Sequence, residues 1–160
     1  MDVNMYHPTA MLKTFLPDLS KRLSNHQHSG IILVSSVASY VAIPAAAAYG
    51  ASKAYVSYLA LAISKELSAS NIDMQVFCPN FVDTGMVQGV PVPFYSLQVA
   101  SPSSVVSASI RQLGHKRLPG ELPTTAGTAL HEILNRSLRF IHENSPIFVT
   151  KMLTYITYNK

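Results

Sequence analysis

A tyrosine, a lysine and a serine at fixed spacing form a group of side chains suited to proton transfer. Tyr49 and Lys53 are four positions apart, and Ser36 precedes Tyr49 by thirteen positions. Residues i and i+4 lie on the same face of a helix, so the ammonium would stand beside the phenol. A neighbouring positive charge favours the phenolate, the form that accepts a proton, and a serine hydroxyl can hold the oxygen of a carbonyl or an alcohol. The spacing therefore predicts an acid/base site.

The sequence around these residues predicts a strand, a loop and a helix. Residues 31–34 are four consecutive apolar residues, typical of a strand covered on both faces of a parallel sheet. Pro44 interrupts any helix in the loop, and residues 47–68 have helical composition. Ser36 would then follow the carboxyl end of a strand, which is where open α/β sheets bind their ligands.

The run of residues 31–53 resembles the short-chain dehydrogenase/reductase family, in which Ser, Tyr and Lys follow one another at this spacing. The resemblance implies that Tyr49 is the general acid/base, and that Lys53 favours its ionisation and holds the nicotinamide ribose. It implies that Ser36 orients the substrate oxygen. Asn4, in a Val-Asn-Met sequence, is similar to the family's asparagine that anchors a water in the proton relay. A helix cap is the alternative role for Asn4.

A second stretch, residues 74–86, resembles the family's next strand and its Pro-Gly-x-Val-x-Thr sequence, with Asn80 where glycine is usual. The cofactor-binding residues implied by the resemblance are Tyr49, Lys53, Pro79, Val82 and Thr84. Thr84 is also placed to cap a short helix, and the two roles are compatible. The implied cofactor is NADP or NAD, with NADP favoured by the resemblance.

The resemblance implies an α/β fold: a partial Rossmann-like, doubly wound parallel sheet that lacks its N-terminal nucleotide-binding half. Only Gly30 precedes the strand that leads to Ser36, so no glycine-rich turn lies there. The chain has 160 residues, of which 48% are hydrophobic, enough for one core. We therefore expect a single domain over residues 1–160, equivalent to the catalytic half of such an enzyme.

Hydrophobic periodicity predicts further elements in the rest of the chain. We expect helices over residues 5–23, 101–113 and 130–141, a strand over 74–78 and a short strand within 124–129. The tail, residues 146–160, alternates apolar and aromatic residues. It is either an amphipathic helix against a membrane surface or a partner, or a helix that packs in the core.

Charge and cysteine content exclude several other classes of protein. The net charge is +4 and the basic residues are scattered, so nucleic-acid binding is not expected. A single cysteine, Cys78, excludes an internal disulfide framework, and it is expected to be a buried strand residue. His26 and His28 lack acidic or thiol companions, so we expect no metal site.

The tail, the Asn-Met pair and the sequence of residues 109–114 are most similar to one branch of the family, the 17β-hydroxysteroid dehydrogenases and very-long-chain 3-oxoacyl-CoA reductases. This implies interconversion of a ketone and a secondary alcohol on an apolar substrate such as a steroid or a 3-oxoacyl-CoA. It also implies a homodimer through the 47–68 helix, and a location that is either membrane-associated at the endoplasmic reticulum or cytoplasmic. The alternative is a non-catalytic fragment or interaction module that has lost cofactor binding.

Overall fold

The helices and strands follow the order expected from the sequence. The computed structural model describes residues 2–22, 27–67, 70–88, 99–115, 124–147 and 151. The elements are a π-helix (Asp2–Tyr6), α1 (His7–Lys21), β1 (Ser29–Val34), a 3-10 turn (Val37–Ser39), α2 (Ala47–Glu66), β2 (Ile72–Phe77), α3 (Pro102–Gln112), β3 (Thr124–Thr125) and α4 (Ala129–Asn144). The elements predicted over residues 5–141 are thus confirmed, with bounds that differ by a few residues. The helix predicted over residues 146–160 lies largely outside the described residues.

The strands form a parallel sheet with the order β1-β2-β3 in the described part of the chain. Val34 at the end of β1 lies opposite Phe77 at the end of β2. The pairing continues past both strands, because the Ser35 N–H donates to the Phe77 carbonyl over 2.7 Å and the Val37 N–H donates to the Pro79 carbonyl over 3.1 Å. The carboxyl ends of β1 and β2 therefore lie side by side.

Helices cover both faces of this sheet. On one face, Leu12 of α1 and Val56 of α2 pack with Leu33 and Val76 of the strands in the main apolar cluster. On the other face the side chain of Gln75 is buried, and its Nε2 donates to the carbonyl and to the hydroxyl of Ser109 in α3. Because its hydrogen bonds are satisfied, this polar side chain is accommodated in the interior. The sheet is doubly wound, as predicted.

The helix α2 is placed by a stripe of small and apolar residues. Ser52, Val56 and Ala60 follow one another at i+4 spacing and are all buried, whereas Tyr58 is 74% exposed. This stripe fixes which face of α2 meets the sheet. The side chains of Tyr49 and Lys53 lie at the start of the same helix and are only partly buried, so they remain available to a ligand.

An apolar groove of about 430 Å³ runs along β1 on the side away from β2. Its lining residues are Pro8, Met11, Leu12, Phe15, Leu16, Leu19, Gly30, Ile31, Ile32 and Leu33. Successive side chains of a strand point to opposite faces, yet residues 30–33 all line this one groove. The groove therefore follows the backbone edge of β1 and not one face of the sheet.

We expect Gly127→Ala to destabilise the fold by about 2–4 kcal/mol. Gly127 has φ +95°, and a Cβ there would lie 2.9 Å from the Val105 carbonyl oxygen and 3.1 Å from Cε2 of Phe77. Both the positive φ and the lack of room for a Cβ require glycine at position 127. Gly85→Ala is the matched control because a Cβ at Gly85 meets nothing within 4 Å, so its free energy of unfolding should change by less than about 0.5 kcal/mol. Urea denaturation followed by circular dichroism measures both; equal values would contradict the prediction.

Candidate active site

Ser36 lies just beyond β1 and opens the 3-10 turn. Its backbone is extended, and its Oγ accepts a hydrogen bond from the Ala38 N–H over 3.2 Å. The residue is buried, with 9% of its surface exposed. A serine in this position caps the turn through one lone pair and keeps its own proton for another acceptor. The strand end thus holds the Ser36 hydroxyl in one orientation.

Tyr49 and Lys53 occupy the first two turns of α2. The Lys53 Nζ lies 5.7 Å from the centroid of the Tyr49 ring, within range of a cation–π contact. The same Nζ donates to the carbonyl oxygen of Val34 over 3.2 Å. Burial lowers the pKa of Lys53 from its ordinary value, because a partly desolvated ammonium is disfavoured. The ammonium and the phenol therefore share a helix face, as their spacing predicts.

The 3-10 turn after Ser36 packs directly on the start of α2. A Cβ added to Gly50, the residue after Tyr49, would lie 3.0 Å from the Ala38 carbonyl oxygen. Glycine at this position permits a backbone approach that a larger residue would oppose. The segments that carry Ser36, Tyr49 and Lys53 are therefore brought together at the carboxyl end of β1.

Asn4 is joined to the same part of α2 by a short chain of hydrogen bonds. Its Nδ2 donates to the Ser52 hydroxyl over 3.1 Å, and the Ser52 hydroxyl donates to the Tyr49 carbonyl over 2.7 Å. Asn4 lies within the π-helix, a distortion often found at functional sites. The N-cap of α1 is Tyr6, with no side-chain cap bond, so the alternative that Asn4 caps this helix is wrong.

The predicted cofactor segment, residues 79–84, divides into two parts. Pro79 lies against the turn after Ser36 through the bond from the Val37 N–H. Val82 instead forms a parallel bridge with Ala100. Thr84 is exposed and its hydroxyl donates to the Val82 carbonyl over 3.3 Å. This hydroxyl bond is local to the segment and is not a helix cap.

Asn80 contributes a hydrogen-bond donor that has no partner among the described residues. Its Oδ1 accepts from the Phe81 N–H over 3.0 Å, whereas its Nδ2 is buried and no acceptor in the described part of the chain reaches it. A buried donor without an acceptor is costly, so such a group calls for an explanation. Asn80 follows Pro79 at the carboxyl edge of the sheet, and its amide suits the oxygen of a bound group.

Three serines and a distant asparagine support this edge and were not anticipated. Ser35, Ser52 and Ser57 form hydroxyl bonds around Lys53 and Tyr49. Helical spacing offered a signal for Ser57, which is four positions after Lys53. Asn135 of α4 donates to the Cys78 carbonyl over 2.9 Å. No local pattern marks that contact, because it joins residues 57 positions apart in the chain.

Cys78 is buried in the core, and the described residues contain no cluster of metal-ligating side chains. Cys78 is free and buried, with 3% exposure, and burial raises the pKa of its thiol. Within the described residues, no group of three or more His, Cys, Asp or Glu side chains is arranged to hold a metal ion. His28 is exposed, and His26 lies outside the described residues.

Several proteins of known family are similar to this chain. Dehydrogenase/reductase SDR family member 7B of Xenopus tropicalis is 28% identical over 140 residues, covering 79% of this chain and 44% of that protein. Estradiol 17-beta-dehydrogenase 11 of Macaca fascicularis is 33% identical over 110 residues, covering 66% of this chain and 34% of that protein. The chain thus spans less than half the length of these relatives.

Solved structures show the same fold. A short chain dehydrogenase from Burkholderia cenocepacia J2315, in complex with NADP, matches with a TM-score of 0.71 and 22% identity over 95% of this chain and 56% of that one. A short-chain dehydrogenase from Streptomyces avermitilis matches with a TM-score of 0.68 and 15% identity over 99% of this chain and 60% of that one. These likenesses confirm the predicted fold class, a part of a Rossmann-like domain.

A family model decides the assignment. The model described as short chain dehydrogenase matches residues 1–92, more than half of the chain. The matched region contains the π-helix, the strand end with Ser36, the Tyr49–Lys53 pair and the 79–84 segment. The chain belongs to the short chain dehydrogenase family.

Proposed function

We propose that this chain is the catalytic half of an NAD(P)(H)-dependent oxidoreductase that interconverts a ketone and a secondary alcohol on an apolar substrate. The observation that carries the proposal is the Tyr49–Lys53 pair at the carboxyl end of β1. There the Lys53 ammonium stands 5.7 Å from the Tyr49 ring centroid, and the turn after Ser36 packs against the same helix. A phenol beside an ammonium and a serine hydroxyl together suit proton transfer to a carbonyl oxygen.

Each side chain has a separate task in this proposal. A bound nicotinamide supplies or accepts the hydride. Tyr49 gives its proton to the substrate oxygen in reduction and takes it back in oxidation. Ser36 donates a hydrogen bond to that oxygen and holds it in place, while the Lys53 ammonium lies beside the Tyr49 ring. Asn4 supports the first turns of α2 through Ser52 and anchors a water in the proton relay.

The described residues fit the nicotinamide end of such a cofactor. The Lys53 ammonium, which donates to the Val34 carbonyl, would also donate to a ribose hydroxyl. The Asn80 Nδ2, which has no partner among the described residues, would donate to the oxygen of a carboxamide. Pro79, Val82 and Thr84 would line the rest of this part of the site. The described residues favour neither NADP nor NAD; the resemblance favours NADP.

The substrate class is inferred from the name of one relative and from the family resemblance, and the location from that resemblance alone. One of them is named an estradiol 17-beta-dehydrogenase, which favours a steroid or a similarly apolar ketone such as a 3-oxoacyl-CoA. No helix in the described ranges is both long enough and apolar enough to cross a bilayer. We propose association with the endoplasmic reticulum membrane, with a cytoplasmic location as the alternative.

A second candidate function follows from the edge of β1. In the described part of the chain β1 pairs only with β2, and the apolar groove runs along its other edge. An unpaired, apolar strand edge is a template for association with another polypeptide. In this second function the chain has no turnover of its own and associates with another polypeptide through the β1 edge.

Titration with NADPH separates the two functions. If the chain is catalytic, NADPH fluorescence should change saturably on binding, and addition of a 17-ketosteroid or a 3-oxoacyl-CoA should oxidise the bound NADPH. A folded chain that binds no NADPH by itself, and also binds none when mixed with the separately produced nucleotide-binding half of a relative, would contradict the proposal. That result would favour the non-catalytic chain.

A further inference from the structure

A series of buried and half-buried groups, linked by hydrogen bonds, lies beneath the proposed acid/base pair. The Ser35 hydroxyl donates to the Lys53 carbonyl over 2.8 Å and lies 2.7 Å from the Ser57 hydroxyl. The Ser57 hydroxyl in turn lies 4.0 Å from the Cys78 sulfur. Ser35 is 2% exposed and Cys78 is 3% exposed. These groups connect the residue after β1, the middle of α2 and the residue after β2.

The number of protons on these groups determines which group is the donor in each hydrogen bond. A serine hydroxyl has one proton, and Ser35 uses its proton on the Lys53 carbonyl. The Ser57 hydroxyl must therefore be the donor in its contact with Ser35. The remaining contact is then filled by the Cys78 S–H as a weak donor to the Ser57 oxygen. Burial, which raises the pKa of the Cys78 thiol, keeps that proton in place.

This series of hydrogen bonds ends at Lys53, one of the proposed site residues. Lys53 is held twice by the end of β1: its Nζ donates to the Val34 carbonyl, and its own carbonyl accepts from Ser35. Ser36 directly follows Ser35 in the sequence. Two bonds from adjacent residues thus set the distance between the strand end that carries Ser36 and the helix turn that carries Lys53.

We propose that Ser35 is a positioning residue for the reductase site, supported by Ser57, and that it sets the register between Ser36 and the Tyr49–Lys53 turn. This inference rests on the proposed function. Ser35 touches neither substrate nor cofactor in this scheme. It acts through Lys53, because active-site groups must be held within about half an ångström of the productive geometry.

The expected effect of Ser35→Ala is a loss of turnover without a matching loss of binding. We expect kcat to fall about tenfold to a hundredfold, since displacement of a reacting group by about 1 Å can cost a factor of this size. KM for the ketone and Kd for NADPH should change less than about threefold, and Ser35→Thr, which keeps the hydroxyl, should recover most of the rate. Ser57→Ala should have a smaller effect, because the bond from Ser35 to Lys53 remains.

A second measurement does not depend on turnover. Trace acylation of the full chain with acetic anhydride over a range of pH, read by peptide mass spectrometry, gives the titration of Lys53 alone. In Ser35→Ala the pKa of Lys53 should move up towards its ordinary value, because the loosened side chain becomes better hydrated. If Ser35→Ala does not fold, Ser57→Ala is measured in its place. The pKa of Lys53 should move in the same direction in Ser57→Ala, by a smaller amount.

Ser64→Ala is the matched control for both measurements. Ser64 lies on the same helix and its hydroxyl donates to the Leu61 carbonyl over 2.7 Å, a local bond within α2. Its removal should leave both kcat and the Lys53 titration unchanged. Identical Lys53 titration in wild type and Ser35→Ala, or equal kcat in Ser35→Ala and Ser64→Ala, would overturn the positioning role. A wild-type chain without turnover, even when mixed with the nucleotide-binding half of a relative, would instead contradict the proposed function, and the Lys53 titration would still decide the role of Ser35.

Discussion

Replacement of Tyr49 by phenylalanine should reduce kcat by about 10²–10⁴-fold, the range typical of a lost general acid/base. The ring that packs beside the Lys53 ammonium is retained, so the fold and NADPH binding should be preserved. Only the group that exchanges a proton with the substrate oxygen is removed. Steady-state oxidation of NADPH with the ketone substrate, together with NADPH titration by fluorescence, measures the two properties separately.

Tyr58→Phe provides the control for this experiment. Tyr58 is on the same helix but is 74% exposed and faces away from the main apolar cluster. The turnover of the Tyr58→Phe variant should equal that of the wild-type chain. If Tyr49→Phe retained turnover within about threefold of Tyr58→Phe, a tyrosine acid/base role would be refuted.

Local patterns in the sequence predicted the parts of the fold that local forces decide. Residues 31–34 are apolar without alternation, and they lie within β1 (Ser29–Val34) as predicted. The expectation that this strand is covered on both faces is wrong, because only Leu33 of these four residues is buried and Val34 is 54% exposed. Ser101 and Pro102 predicted the start of α3, and the Ser101 hydroxyl accepts from the Ser104 N–H as a cap should. Single-domain organisation and dimerisation through α2 stay predictions.

The supporting contacts of the site could not be predicted in the same way. The bond from Ser35 to the Lys53 carbonyl depends on how closely the end of β1 approaches α2, and the small residue Gly50 permits that approach. Asn135 reaches Cys78 only because α4 folds back across the end of β2. Such contacts result from tertiary packing, so residue type and spacing carry little information about them. The catalytic roles of Ser36, Tyr49, Lys53 and Asn4 also stay predictions.

Lys53→Met should separate function from stability. The variant loses the ammonium beside Tyr49, and we expect kcat to fall about 10²–10³-fold, as for loss of one preorganised donor. NADPH binding should weaken as well. At neutral pH the variant should be at least as stable as wild type, because burial lowers the pKa of Lys53 and the charged side chain therefore costs stability in the folded state.

The pH dependence of stability tests the same lysine. Between its lowered folded pKa and its unfolded pKa of about 10.4, the unfolded chain binds more protons at Lys53 than the folded chain does. The free energy of unfolding of wild type should therefore rise with pH through this window relative to Lys53→Met. Lys65→Met, which removes an exposed lysine from the same helix, should run parallel to wild type. Urea denaturation at intervals from pH 7 to pH 10 gives all three curves. Parallel curves for wild type and Lys53→Met would show that folding does not desolvate the Lys53 ammonium. That result would contradict the partly buried position of Lys53 beside Tyr49.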